Sequence, residues 1–241
     1  MALLYRDTDK DWQRIGHEDP LWGVLTAPEY RTSALTPDTV ERFYASGEGY
    51  VNWLNEQVQR HCGQPLRAEH ALDFGCGAGR IAHAMPRVAA RVTGLDISPG
   101  MLTRAREKAS SAIEFKQVLA DERFDWLHSY IVFQHIPPTR GMVILDDLLS
   151  RLQPNGLVTL HFTTARSSHL RGKNRVARLK QWLSQRLHPA HSVSMFDYDI
   201  GKLMSSFHRH DIRQMTILST DHGGHFGVYI IGVKGAACNA I

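Results

Sequence analysis

The sequence predicts an α/β protein built on a mainly parallel sheet with helices on both faces. Three observations carry this. Short apolar strands alternate with amphipathic helical stretches from about residue 70 onward, the pattern of a parallel sheet covered on both sides. The segment Leu72-Asp-Phe-Gly-Cys-Gly-Ala-Gly-Arg80 ends one strand in an acid and three alternating glycines. A second strand, Arg91-Val-Thr-Gly-Leu-Asp96, follows closely and ends in another acid. Glycines at 75, 77 and 79 allow a sharp turn and a close approach of backbone to a ligand. A carboxylate at the tip of the next strand can accept hydrogen bonds from ribose hydroxyls. The two together describe a site for a nucleoside-containing cofactor.

The elements are expected in this order. Residues 1–34 mix aromatic and acidic side chains (Tyr5, Asp7, Asp9, Asp11, Trp12, Asp19, Trp22) and read as an ordered cap. Thr36-Pro-Asp opens a helix, with Thr36 as N-cap and Pro37 in its first turn. A separate helix near 49–61 aligns Tyr50, Val51, Trp53, Leu54 and Val58. Leu72 to Phe74 is the first strand, followed by a helix from about Gly79 to Val88. Val92 to Leu95 is the second strand, and Ser98-Pro99 starts the next helix. Ile113 to Val118 and Trp126 to Phe133 are the third and fourth strands. After Pro138 comes an amphipathic helix, then a turn at Pro154-Asn-Gly156 and a fifth strand, Leu157 to Phe162. Gln214 to Thr220 and Phe226 to Val233 form a closing hairpin around Asp221-His-Gly-Gly-His225.

A pyridine dinucleotide fits the glycine loop poorly. Its fingerprint places the third glycine three positions after the second, whereas Gly79 follows Gly77 by two, and Asp73 would set a carboxylate near a pyrophosphate. An amino or sulfonium group would welcome that carboxylate. The run Asp73 through Gly79 resembles the first motif of the class I S-adenosylmethionine-dependent methyltransferases, small-molecule branch. Asp125 through Pro137 looks like the family's fourth strand and its exit, and Gln153 through Gly156 like the turn into its fifth. The resemblance implies a Rossmann-like sheet of seven strands with the last antiparallel. It implies S-adenosylmethionine held by Asp73, Gly75, Cys76, Gly77, Gly79, Arg80, Asp96, Ile97, Met101, Leu119 and Tyr130. In that arrangement Asp73 approaches the methionyl ammonium, Asp96 holds the ribose and Leu119 covers the adenine. The stretch Val118 to Phe124 is shorter than the family's usual adenine loop, so Leu119 and Asp121 rest on less than the glycine loop does.

The acceptor end is expected beyond the carboxyl ends of the strands. His135, His161, His222 and His225 are the candidate catalytic residues there, since an imidazole can take a proton from a hydroxyl or amine near neutral pH. Among 14 histidines, His83, His128, His208 and His210 read as ordinary structural residues. Tyr5, Trp12, Trp22, Tyr30, Phe43 and Tyr44 are candidates for an aromatic lid, with Ser46-Gly-Glu48 near the methionyl end. The expected organisation is an N-terminal helical cap over 1–64 and a cofactor-binding domain over 65–241. A basic helical insertion at about 163–205 carries Arg166, Arg171, Lys173, Arg175, Arg178, Lys180 and Arg186.

The expected reaction is methyl transfer to oxygen or nitrogen of a small molecule, such as a specialised metabolite. The alternatives are RNA methylation, with the basic insertion gripping phosphate, and a non-enzymatic cofactor-binding partner protein. With 43% hydrophobic and 22% charged residues and a formal charge of +4, the 241-residue chain has the composition of a soluble domain of modest basicity. Cys62, Cys76 and Cys238 form neither a disulfide framework nor a metal spacing, so no metal is expected. The absence of a long apolar run and of a leader-like N-terminus makes the cytoplasm the expected location; a monomer or homodimer is the expected state.

Overall fold

A computed structural model describes residues 8–167 and 194–235 of the chain. Tyr5, Asp7, the basic side chains from Arg171 to Arg186 and Cys238 lie outside the described residues. The sheet has seven strands: β1 Ala68–Phe74, β2 Ala89–Leu95, β3 Ile113–Lys116, β4 Phe124–Ser129, β5 Leu152–Arg166, β6 Gln214–Asp221 and β7 His225–Val233. Their spatial order is β3-β2-β1-β4-β5-β7-β6. The first five run parallel, and β7 is antiparallel to both β5 and β6. The chain moves outward from β1 to β3 and then returns to β4, so the strand order switches between β1 and β4. Ligands of such sheets gather outside the carboxyl ends of the strands at that switch.

Strand side chains alternate between two apolar layers, as the two-residue period requires. Ala71, Trp126, Leu157 and Tyr229 face a core closed by Val51, Leu54 and Val58 of one helix and Leu102 of another. Leu72, Leu127, Val158 and Ile230 face the opposite core, closed by Leu145, Leu148, Leu203 and Phe207. The helices are α1 Thr8–Glu18, α2 Pro20–Val24, α3 Pro37–Cys62, α4 Pro99–Arg106, α5 Pro138–Arg151 and α6 Ile200–Arg209. Among the described residues no helix is long and apolar enough to cross a membrane.

The two helices expected between 37 and 61 are one continuous helix, α3. Thr36 accepts from Thr39 N–H and the Thr39 hydroxyl accepts from Thr36 N–H, while Gly63 closes the far end in a left-handed conformation (φ 73°). Gly47 lies inside this helix, and a Cβ there would stand 1.8 Å from the Arg80 carbonyl oxygen. The glycine is therefore the contact at which α3 meets the segment after β1, and it does not end the helix.

The helix expected over Gly79–Val88 is absent. The chain instead makes successive turns and a 3-10 turn at Met85–Arg87. His83 N–H bonds to Gly79 O in helical fashion, but Ala84, Arg87 and Val88 donate to residues three back. Pro86 has no N–H to continue a helical ladder. Ser98 caps α4 as expected, accepting from Met101 N–H. The strand expected over Trp126–Phe133 stops at Ser129, where the chain turns away to build the site.

The cap docks on α4 through two glycines. A Cβ on Gly16 would lie 2.1 Å from Ser98 Oγ, and one on Gly100 would lie 2.4 Å from the Gly16 carbonyl oxygen. Replacing Gly47 with alanine is expected to destabilise the protein by about 1–3 kcal/mol through overpacking. At exposed Gly49, where nothing lies within 4 Å of the added carbon, the same change is expected to stabilise by about 1 kcal/mol through helix propensity. Urea denaturation of the two variants reads the opposite signs.

Candidate active site

A cavity of about 850 Å³ opens over the carboxyl ends of β1, β2 and β4 and beneath α1 and α2. Its floor is the turn after β1. Gly75 and Gly77 have φ of 74° and 53°, and Gly75 and Cys76 both donate N–H bonds to Leu95 O at 2.7 and 3.0 Å. A Cβ on Gly75 would meet Val132 at 2.4 Å, so the loop is bare where it faces the exit of β4. Gly79 (φ 80°) turns the chain behind this floor, against His83 and Ala105, and does not line the cavity.

Asp73 and Asp96 stand at the ends of β1 and β2 and both line the cavity. Asp96 Oδ2 accepts from Gly77 N–H at 2.9 Å, and its Oδ1 accepts from Ser98 N–H at 2.8 Å. Burial raises its pKa, and those two N–H groups oppose the rise. Asp73 is 3% exposed, and its Oδ2 is enclosed without a hydrogen-bond partner. Burial pushes its pKa up to about 7, partly countered by Arg80, while the negative charge of Asp96 adds to the rise. Arg80 is itself buried, 3.5 Å from Ser46 Oγ, with its guanidinium 5.8 Å from the centre of the Tyr50 ring. An unpaired buried carboxylate costs free energy unless a cation arrives to meet it.

Ile97, Met101, Cys76 and Tyr130 also line the cavity. Leu119 does not: it packs on the core behind β4 and β5, and Asp121 lies outside the cavity as well. Gln117, which the sequence did not single out, takes the place beside Ile97, whose carbonyl oxygen accepts from its side-chain amide at 3.1 Å. Glu48 points away and pairs with Arg87 at 2.5 Å.

Three of the four candidate histidines reach the other end of the cavity. His222 and His225 arrive together because Gly223 and Gly224 (φ 65° and 90°) make a tight two-residue hairpin turn. Their main chains exchange both hydrogen bonds, at 3.1 and 3.4 Å, which puts the two rings on one face of the hairpin. Burial lowers both pKa values, and the positive charge of Arg166, followed by His222, lowers that of His225 further. Nε2 of His222 and Nδ1 of His225 are enclosed without partners.

His135 differs from this pair. Its Nδ1 lies 3.2 Å from Ser194 O and its Nε2 lies 3.1 Å from the Gln134 amide nitrogen. A carbonyl can only accept, so Nδ1 donates and Nε2 accepts. Gln134 Oε1 takes the Thr163 hydroxyl hydrogen at 2.7 Å, which leaves the Gln134 amide NH₂ facing the imidazole. Both ring nitrogens are thus engaged, and burial takes the pKa down to about 4. His161 is 1% exposed, bonds Thr220 Oγ1 at 2.9 Å and lies behind the cavity wall. Burial brings its pKa to about 3.

The roof is the cap. Trp12 and Trp22 line the cavity, with Trp12 edge-on to His135 at 4.9 Å. Asp9 of α1 and Arg140 of α5 meet at 2.7 Å across its rim. Tyr30, Phe43 and Tyr44 do not line the cavity; they pack with Ile15, Leu21 and Met101 in the apolar cluster that also holds Trp12 and Trp22. Arg166 pairs with Asp197 at 2.9 Å. Among the described residues, no group of three or more His, Cys, Asp or Glu side chains is placed to hold a metal ion.

Residues 71–156 match the family model described as a methyltransferase domain. This stretch, which carries Asp73, the glycine floor and Asp96, is similar to a methyltransferase domain. A ubiquinone biosynthesis O-methyltransferase of Methylocella silvestris is 33% identical over 163 residues, covering 52% of this chain and 63% of the relative. The enzyme of the same name from Stutzerimonas stutzeri is 27% identical over 103 residues, covering 39% and 42%. The match thus spans about half the length of these relatives. Two solved structures extend the likeness of fold to nearly the whole chain. Magnesium protoporphyrin IX methyltransferase from Synechocystis, with bound S-adenosylhomocysteine, superposes with a TM-score of 0.61 at 14% identity over 95% of this chain and 100% of its own. The N-methyltransferase NodS from Bradyrhizobium japonicum does so with a TM-score of 0.57 at 15% identity over 95% and 99%.

Asp73 gives the site a pH signature. Its folded pKa of about 7 exceeds the value near 3.9 expected of an unfolded aspartate. The folded state therefore binds the proton more tightly, and stability falls as pH rises through the window between the two values. Asp73→Asn is expected to raise the melting temperature of the ligand-free protein relative to wild type, more at pH 8 than at pH 5. Thermal denaturation at the two pH values checks the sign.

Proposed function

We propose that this protein transfers the methyl group of S-adenosylmethionine to an oxygen or nitrogen atom of a small molecule. One observation carries the reading: a single cavity has a buried carboxyl group with one oxygen unpartnered and a bare glycine floor at one end and a pair of histidines at the other. Its volume of about 850 Å³ sits high in the range of about 300–1,000 Å³ typical of small-molecule sites, which suits two reactants enclosed together.

The residues fit the cofactor in kind. Asp73 offers a negative oxygen to an ammonium group. Asp96, although it accepts two N–H bonds, retains lone pairs for ribose hydroxyls. Ile97 and Met101 give apolar flanks, and Gly75 and Gly77 keep side chains out of the way. S-adenosylmethionine supplies a methyl group on a positively charged sulfur. The rest of the chemistry belongs to the protein. Holding the acceptor in line with that methyl contributes much of the rate by positioning. As the acceptor atom bonds to the methyl carbon, the carbon–sulfur bonding pair stays with sulfur and the acceptor gives up a proton.

The hairpin pair, His222 and His225, receives that proton. Both are held neutral by burial, whereas His135 already uses both ring nitrogens and positions the wall. Trp12, Ile136, Ile144 and Met195 frame the acceptor with apolar surface, which favours a largely apolar body carrying one nucleophilic atom. The relatives named above, O-methyltransferases of ubiquinone biosynthesis, support an oxygen acceptor.

Incubation with methyl-labelled S-adenosylmethionine and a fractionated small-molecule extract, followed by mass identification of the product, tests the reading. Label appearing in one small molecule supports it; label confined to RNA, or none anywhere, refutes it. Asp96→Ala is expected to weaken cofactor binding in calorimetry while the protein remains folded. Replacing both His222 and His225 with alanine is expected to lower turnover by about 10²-fold or more with cofactor affinity kept. Because Asp73 must be ionised to meet an ammonium, cofactor affinity is expected to fall as pH drops below about 7.

A further inference from the structure

Ile131 has a left-handed backbone, with φ of 59°. The other two non-glycine residues with positive φ among those described are Asn155 and Asp211, types that tolerate the conformation. For a β-branched residue it is an outlier that persists only where the surroundings over-determine it. Here they do. Just before it, Ser129 Oγ donates to Phe74 O at 2.9 Å and ties β4 to β1. Just after it, Val132 presses on Gly75, and Phe133 is fully buried between Phe74 and Phe162.

The strained turn has a geometric result. In an extended strand only alternate side chains share a face, yet Tyr130, Ile131 and Val132 all line the cavity. Tyr130 leads toward the acceptor end, since its ring lies 5.9 Å from that of His222. Val132 borders the glycine floor. Ile131 stands between them in the chain and lines the same cavity. Core packing does not account for its side chain, which belongs to none of the three apolar clusters. Glycine would meet the backbone requirement without strain, so the aliphatic side chain is what the position adds.

We infer that Ile131 forms the apolar wall against which the transferable methyl of the donor lies, and so distinguishes the methylated donor from its demethylated product. This rests on the proposed S-adenosylmethionine reading. The strained backbone fixes the wall in place before ligand binding, so that contact with the methyl is made without further ordering of the chain.

Calorimetric titration of the full chain with S-adenosylmethionine and, separately, S-adenosylhomocysteine tests the inference, with thermal denaturation alongside. Ile131→Gly is expected to keep or raise the melting temperature. Its affinity for S-adenosylmethionine should fall roughly three- to tenfold, the loss of one or two buried methyl contacts, while S-adenosylhomocysteine affinity stays within about twofold. Ile131→Leu, which restores aliphatic bulk, should recover the preference for the methylated ligand. A merely structural role would move both affinities together and follow the melting temperature. Parallel loss for the two ligands, or no change for either, overturns the inference. Should the glycine variant fail to fold, Ile131→Asn, which accepts the same backbone but replaces the aliphatic wall, gives the same comparison. Wild-type protein binding neither ligand would sink the cofactor reading and this inference with it, an outcome distinct from parallel loss in the variant.

Discussion

The Asp96 carboxylate joins three parts of the molecule that would otherwise be independent. It ends β2, accepts the Gly77 N–H of the cavity floor and accepts the Ser98 N–H at the start of α4. A helix start carries partial positive charge, so the carboxylate is stabilised where it also organises. Ser98 and Gly100, at the start of that helix, are in turn the surface on which Gly16 of the cap rests. Floor, cap and cavity therefore meet around one half-buried acid. Its cost of burial is offset by the two N–H groups that it orders.

In the ligand-free cavity, burial pulls the acids and the imidazoles alike toward their neutral forms. Burial favours protonation of Asp73 and Asp96 and favours the neutral form of His135, His222 and His225. A cationic ligand reverses only the first of these tendencies, because it returns a counter-charge to Asp73 while leaving the imidazoles uncharged and able to accept a proton. Desolvation thus prepares opposite ends of the same cavity for opposite tasks.

Much of this was legible in the sequence because the signals were local. Alternation of apolar residues marks the strands, Thr36-Pro37 and Ser98-Pro99 mark helix starts, and the glycine spacing after Asp73 marks the floor. The hairpin through Asp221–His225 was legible too, since Gly-Gly is the chemistry that a tight turn of this kind requires. What escaped depended on contacts distant in sequence. Nothing near Gly47 tells that it serves the approach of Arg80, so a continuous helix reads as two. The residues beyond β3 have no period, so nothing local shows that Gln117 and not Leu119 lines the cavity. The four histidines look alike along the chain. Only the partners Ser194, Gln134 and Thr220 separate a ring with both nitrogens engaged or enclosed from a ring available to a ligand. Ile131 gives no local sign of a left-handed turn, because isoleucine is among the residues least suited to one.

The length of α3 has a mechanical consequence. At 1.5 Å per residue, 26 helical residues extend about 39 Å. Phe43 near one end is embedded under the cap, while His61 near the other bonds Thr216 of β6 at 2.6 Å. Midway, Tyr50 bonds Tyr229 of β7 at 2.9 Å. The helix is thus a beam carrying the roof at one end and the root of the histidine hairpin at the other. The span between roof and hairpin is set by a single stiff member, so the clearance available to an acceptor is a dimension of α3 as much as of the side chains that line the chamber.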